Sequence, residues 1–333
     1  VRAGRALILL VVPLAVLFFS LFVGRFFVAP ADVARILAAR IVPASPTWSA
    51  SVETIVMQIR LPRALMAMLV GAGLSVSGAA YQGMFRNPLV SPDILGVTAA
   101  SAFGAALALL FSRGEFAVEL VAFAFGLLGV AMSYLLARTY RTTPVLMLVL
   151  SGVVVAAFFS ALLSGVKYVA DPDSKLPAIT YWLLGSLNGI SARSLVMALP
   201  PIVVGGAGLM LARWRLNVLA MGDEDARSLG IRTERLKVGV IVCTTLVTAA
   251  SVSVCGIVGW VGLVIPHLAR MWVGPDHRAL LPAAFSIGAT YLLLIDDVAR
   301  SASVSEIPLG VLTALIGAPF FAYLLRKTRA TWQ

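Results

Sequence analysis

The sequence predicts an all-α integral membrane protein with about ten transmembrane helices, and three observations predict it. Of the 333 residues, 60% are hydrophobic and only 12% charged; soluble domains carry about 25% charged residues because their surface must face water. Uncharged stretches of bilayer-crossing length (roughly 17–25 residues) recur along the whole chain, at 6–24, 64–85, 94–112, 142–166, 238–266 and 307–325. These runs are solidly apolar, whereas a β-barrel would show short alternating segments, so helices are the elements that satisfy the backbone in lipid.

With Pro, Gly and charge as punctuation, spans fall near 6–26, 64–84, 94–112, 117–137, 144–166, 194–212, 238–255, 257–272, 279–296 and 307–325. A signal peptide is the alternative reading of the first, but its length and the absence of a clear small-residue cleavage site favour a span. The second is crowded with Gly71, Gly73, Ser75, Ser77, Gly78, Ala79 and Ala80, small residues that let helix backbones approach closely in lipid. The 29-residue run 238–266 could be one tilted helix. Gly256, Gly259 and Gly262 followed by Pro266 favour two, since these residues weaken or end helices. All of this makes one polytopic domain, 1–333, with a polar inner loop at 213–237.

Charge parity agrees with the split. The loop carries Arg213, Arg215, Arg227, Arg232, Arg235 and Lys237, and the C-terminus Arg326, Lys327 and Arg329. Basic residues gather in cytoplasmic loops, so both clusters belong inside and an even number of spans must separate them. Arg2, Arg5, Arg86, Arg138, Arg141, Arg270 and Arg278 fall on the same side, with both termini cytoplasmic. The net charge of +11 therefore reflects orientation. No basic arm with interleaved aromatics exists to bind nucleic acid.

The material for other chemistry is thin. Cys243 and Cys255 lie twelve residues apart on one predicted helix, about 18 Å at 1.5 Å per residue, beyond disulfide reach. His267 and His277 are the only histidines, too few for a histidine metal site or an intramembrane catalytic set. A secondary transporter or channel would couple through intramembrane carboxylates; only Asp296 and Asp297 qualify, beside Arg300 at a helix end.

Five segments then add up to a family likeness: "QIRLPRALMAMLVGAGLSVSGAAYQGMFRNPLVSPDILGVTAASAFGA" (58–105), "YWLLGSLNGIS" (181–191), "LNVLAMGDEDARSLGI" (216–231), "GIVGWVGLVIPHLARMWVGPDHRALLP" (256–282) and "EIPLGVLTALIGAPFFAYLL" (306–325). Together they resemble the FecCD/BtuC-type permeases of type II ABC importers, which carry ferric siderophores, haem, cobalamin or molybdate across the inner membrane of bacteria or archaea. The resemblance implies ten helices per subunit. It also implies assembly with a second copy, two ATPase subunits and a periplasmic or lipid-anchored substrate-binding protein. ATP and Mg would be bound on the ATPase partner, with no cofactor, metal or catalytic residue in this chain. The sequence agrees independently, because a phosphate-binding loop needs Gly-Lys-Ser/Thr and none of the four lysines, Lys167, Lys175, Lys237 and Lys327, follows a glycine.

The resemblance also implies roles. The stretch with Leu216, Asn217, Leu219, Gly222, Glu224, Ala226, Leu229 and Gly230 looks like the coupling helices that enter a cleft of the ATPase. From the residues alone, Gly222 and Gly230 bracket a short helix whose acidic start, Asp223 to Asp225, suits a helix N-terminus; a self-capped connector explains it equally. The stretch with Asn87, Pro88 and Leu89, together with Val145 and Leu146 after Thr142, looks like the cytoplasmic gate. Pro88 and Pro92 would leave an irregular backbone, tolerated at membrane depth only inside protein or beside water. Arg60, Arg63 and Arg300 sit on the outer side, against the positive-inside tendency. Interfacial snorkelling, or for Arg300 an i,i+4 pair with Asp296, would account for them; the family pattern implies docking to acidic residues of the binding protein.

Overall fold

A computed structural model describes residues 3–41, 47–112, 114–138, 143–303 and 305–328. Among these every regular element is helical. The chain opens with α1 (Ala3–Phe22), then a short α2 (Pro30–Ala39) and α3 (Ala50–Thr54). A π-helical turn, Ile55–Arg60, joins α3 to α4 (Leu61–Phe85) without a break. Pro62 explains the wide turn, because it offers no N–H to the carbonyl four residues back and its ring displaces that carbonyl.

Next come α5 (Val97–Leu110), α6 (Glu115–Ala137), α7 (Val145–Val169), the short α8 (Lys175–Leu184) and α9 (Ala192–Met221). A six-residue α10 (Asp223–Ser228) precedes α11 (Thr233–Cys255), α12 (Val261–Val273), α13 (His277–Ser301) and α14 (Leu309–Thr328). Ten of these helices, α1, α4 to α7, α9 and α11 to α14, occupy the ten expected segments. Seven helices are long and apolar enough to cross a membrane, while α5, α12 and α14 are shorter apolar helices.

The split of 238–266 is present. α11 stops at Cys255, where Gly256 turns left-handed at φ +68°, and helix resumes only at Val261. Pro266, expected to help the break, lies inside α12. Both cysteines are free and lie on α11.

α4 is the axis of the bundle, packed on by α13, α9, α11 and α12. Its small residues make this possible. A Cβ on Gly71 would stand 2.2 Å from the Gly288 carbonyl oxygen of α13, and one on Gly78 would stand 1.8 Å from that of Gly262 on α12. Gly262 also meets the Pro92 ring. The two non-helical stretches, 86–96 and 256–260, therefore reach the middle of α4 from opposite ends. That is why α5 and α12 have only 14 and 13 residues, about 20 Å at 1.5 Å per residue against a hydrocarbon core of about 30 Å. Irregular backbone is stable at such depth because other helices surround it.

Two expected boundaries move. The second span begins well before residue 64, since helix is continuous from Ala50. The 213–237 segment is mostly helix, because α9 runs to Met221 and α11 starts at Thr233. Leu216 and Leu219, one turn apart, are fully buried in the core that also holds Tyr81 and Phe85, so tertiary packing extends a helix that its charges alone would have ended.

Candidate functional site: two ends of one bundle

Alternation of the helices gathers 86–96, 143–144, 222–232 and 274–276 at one end and the Arg63–Asp296 region at the other. At the first end lie the stretches expected to couple and to gate. α10 starts at Gly222, whose φ of +137° is a backbone state that side chains disfavour. Gly230, at φ +80°, closes the segment. Within it Ala226 is fully buried while Glu224, Leu229 and Gly230 face outward. Lys237 of α11, almost fully buried, holds α10 through Asp223 at 2.5 Å and reaches Glu234 at 3.5 Å. The other oxygen of Glu234 accepts the Thr143 N–H at 3.0 Å. An ion-paired chain thus runs from α10 to the start of α7, where Val145 is half-buried and Leu146 is 68% exposed. Thr142, expected at this mouth, lies outside the described residues, as do Arg2, Arg141 and Arg329.

A second connection leaves Asn217. Its Oδ1 accepts from the His277 N–H and lies 2.8 Å from His277 Nδ1, while its Nδ2 donates to Asp276 at 2.5 Å. Asp276 caps α13 by accepting the Arg278 N–H; that bond, then the one from Asn217, holds its carboxyl below the usual carboxylate range. The His277 ring packs on Gly83, where a Cβ would lie 2.4 Å from Nε2. One turn later α4 ends at Phe85, and Arg86 enters the left-handed region at φ 51°. Asn87 turns its side chain back onto the Leu89 N–H at 2.9 Å, and Asn87, Pro88 and Leu89 are exposed. A cleft of about 630 Å³ is shared by Asn87 and Pro88 with Asn217, Asp276 and His277. Gln82 and Arg270 join it, hydrogen-bonded to each other at 2.9 Å.

The structure therefore brings the expected coupling and gate residues together and adds Lys237, Glu234, Asp276 and His277 as the connectors. Composition did not single these out. The Asp276–His277 junction was legible as an N-cap ahead of an apolar run, but the Lys237 and Glu234 contacts depend on how α10 folds back.

At the opposite end the three arginines are employed differently from the docking expectation. Arg60, Arg63 and Arg300 are each less than a tenth exposed. Arg63 forks onto Asp296 (2.8 and 2.9 Å) and onto Glu306 (2.9 Å twice). Arg60 donates to the Leu21 carbonyl at 2.8 Å and to that of Phe26. Arg300 meets Asp297 at 2.5 Å and the Ser20 carbonyl at 2.6 Å; Asp296, its expected i,i+4 partner, is 3.9 Å away. Ser20 closes the network onto Asp297 at 2.6 Å. These guanidinium groups hold α1, α4, α13 and the approach to α14 together. Arg63 looked exposed in sequence because nothing local reveals carboxylates more than 200 residues away, and Arg60 because nothing local reveals the Leu21 and Phe26 carbonyls.

Sequence reading also missed Trp260, one of three non-glycine residues at positive φ among the described residues (69°). Its ring stands against Phe321, and its Cβ is where a Cβ on Gly317 would collide, at 2.6 Å. It fixes α14 against the break before α12.

Comparison with known proteins agrees with this architecture. The model of the FecCD transport family matches residues 9–327. The chain is 41% identical over 312 residues to the molybdate import system permease protein MolB of Haemophilus influenzae, covering 93% of this chain and 91% of that one. It is 42% identical over 279 residues to a Helicobacter pylori protein named for iron chelatin transport as a system permease, covering 84% of each. A solved structure described as an inward-facing conformation of a metal-chelate type ABC transporter superposes with a TM-score of 0.86 at 38% identity, covering 97% of this chain and 99% of that one.

Proposed function

The chain belongs to the FecCD transport family, and from that premise we propose that it imports a metal chelate, a ferric siderophore or haem, along a path shared with a second copy of itself. It is a multi-pass permease subunit of an ABC importer, with ATP hydrolysis on a separate chain. Cobalamin or molybdate is the alternative cargo for the same architecture. In the proposed assembly two ATPase subunits meet the α9–α10 end in the cytoplasm, where both termini also lie. A periplasmic or lipid-anchored binding protein meets the other end, whose shape the buried arginines maintain. The membrane is the inner membrane of a bacterial or archaeal cell.

One observation supports the coupling role above others: α10 and the end of α9 are connected to both stretches that flank the proposed gate, the first through ion pairs and a hydrogen bond and the second through Asn217 and the His277 ring packed on Gly83. Lys237 and Glu234 lead to Thr143, and Asn217 leads through His277 to α4. A push on α10 is then felt at Asn87 to Leu89 and at Val145 and Leu146 through rigid helices. Changes along such a connection alter coupling by about 0.5–2 kcal/mol, roughly 2–30-fold. Lys237→Met, Gly222→Val and Leu229→Asp are each expected to lower transport per ATP hydrolysed within that range, with the permease still folded. Proteoliposomes holding the permease, its ATPase and its binding protein, supplied in turn with a ferric siderophore, haem, cobalamin and molybdate, test cargo and coupling together. Uptake of none of the four would refute the import reading, and unchanged stoichiometry in all three variants would leave α10 a connector.

Topology is checked separately. After both native cysteines are replaced by Ser, Asp276→Cys should resist a membrane-impermeant thiol reagent applied outside, and Asp173→Cys should react. Outside labelling at position 276 would overturn the proposed orientation.

A further inference from the structure

A large groove at the α10 end lies apart from the Lys237–Glu234 and Asn217–His277 connections. α9 and α11 touch where Gly205 and Gly208 meet Cys243; a Cβ on Gly208 would stand 2.5 Å from the Cys243 sulfur. Beyond that crossing the helices part towards their α10 ends. They leave a cavity of about 1010 Å³, at the upper limit of the roughly 300–1,000 Å³ of ligand sites. Half-buried Leu236 and Cys243 and exposed Gly239 line its apolar side over the buried Leu209 and Val240, and Leu211, 85% exposed, stands on its wall. Val203, Val204 and Val242 on the same two helices are also half or more exposed. An apolar surface of this kind on membrane-spanning helices faces acyl chains.

The mouth is of opposite character. Arg215 from the last turns of α9 and Arg232 and Arg235 from the start of α11 line it beside Trp214. All three arginines are exposed, and among the described residues their side chains form neither an ion pair nor a hydrogen bond. Two carboxylates of the same segment, Asp223 and Glu234, are turned instead to Lys237. Guanidinium groups are geometrically suited to bidentate phosphate binding, and tryptophan favours the headgroup level of a bilayer. Basic pockets between helices on the cytoplasmic side accept anionic lipid headgroups.

We propose that the α9–α11 groove is a binding site for an anionic phospholipid of the cytoplasmic leaflet, with its phosphate on Arg215, Arg232 and Arg235 and its acyl chain along Leu211, Leu236 and Gly239. A zwitterionic lipid brings its phosphate together with a cationic group that the three arginines repel, and a free phosphate would leave the apolar lining of the groove uncovered. Leu229 and Gly230 also border the groove, so an occupying lipid braces the segment that carries α10. The choice of leaflet rests on the orientation proposed above; the chemistry of the site does not.

The full-length permease in detergent, titrated with phosphatidylglycerol, phosphatidylcholine and inorganic phosphate and read by native mass spectrometry, tests this without transport. Phosphatidylglycerol should be retained in preference to phosphatidylcholine. An arginine near the membrane surface is worth about a fivefold preference for anionic lipid. Arg215→Gln/Arg232→Gln/Arg235→Gln should therefore weaken phosphatidylglycerol by about 100-fold with phosphatidylcholine unchanged. Gly239→Trp, which fills the groove and keeps the charges, should exclude the lipid while the thermal unfolding midpoint holds. Equal retention of phosphatidylglycerol by wild type and the triple variant would overturn the proposal. So would displacement of the lipid by millimolar phosphate, or its loss whenever the ATPase is bound, which would make the groove an ATPase surface.

Discussion

Arg63→Ala should lower the stability of the permease by about 3–5 kcal/mol, the cost of breaking a buried ion pair by removing one partner. Arg63 is the only cation within 3 Å of Asp296 among the described residues, and it also holds Glu306. Asp296 is 1% exposed, so removing the guanidinium strands a charge with no water to receive it. The penalty belongs to the stranded charge, because pairing itself gains little over an apolar replacement of similar volume. Arg63→Met combined with Asp296→Asn and Glu306→Gln should therefore recover a large part of the loss. Thermal unfolding in detergent, followed by the loss of monodisperse protein, measures both. An Arg63→Ala midpoint equal to wild type would show that this end of the bundle is not held by the network. Arg60→Ala should cost less, since it leaves two carbonyl oxygens, Leu21 and Phe26, in place of a carboxylate.

Gly78→Val is expected to be comparably severe for a steric reason. The first added carbon would stand 1.8 Å from the Gly262 carbonyl oxygen and 2.9 Å from its Cα. Both are backbone atoms, so no side chain can swing aside, and α12 must move off α4 as a unit. Overpacking a well-filled interior costs about 1–3 kcal/mol where neighbours can adjust, and here the cost should reach or exceed that ceiling. Pro92 packs on Gly262 as well, so displacing α12 also disturbs the 86–96 loop proposed to gate the path; transport should fall more steeply than stability. Gly206→Ala provides the contrast, with open space around its added carbon, and should be neutral or stabilising by about 0.5–1 kcal/mol, the helix-propensity gain of Ala over Gly. If Gly78→Val and Gly206→Ala unfold at the same temperature, close backbone approach is not what holds α4 to α12.

The sequence by itself determined the class of the molecule and the places where its helices run. Membrane helices are selected by transfer of uncharged stretches into hydrocarbon, a sum over neighbouring residues that needs no tertiary knowledge. The split at Gly256 and the bracketing of α10 by Gly222 and Gly230 were legible for a similar reason, since each depends on a local backbone preference. Only the tertiary structure decided what the polar residues are for. Charge was taken to end a helix at 213 and to mark an outer surface at Arg60, Arg63 and Arg300. In the structure α9 continues to Met221 because Leu216 and Leu219 find a core. Arg63 turns inward because its partners, Asp296 and Glu306, return from the far end of the chain, and Arg60 and Arg300 because carbonyls of the α1 end, Leu21, Phe26 and Ser20, come to meet them. An ionic contact inside a bundle is a property of two segments at once, and hydropathy sums read one segment at a time.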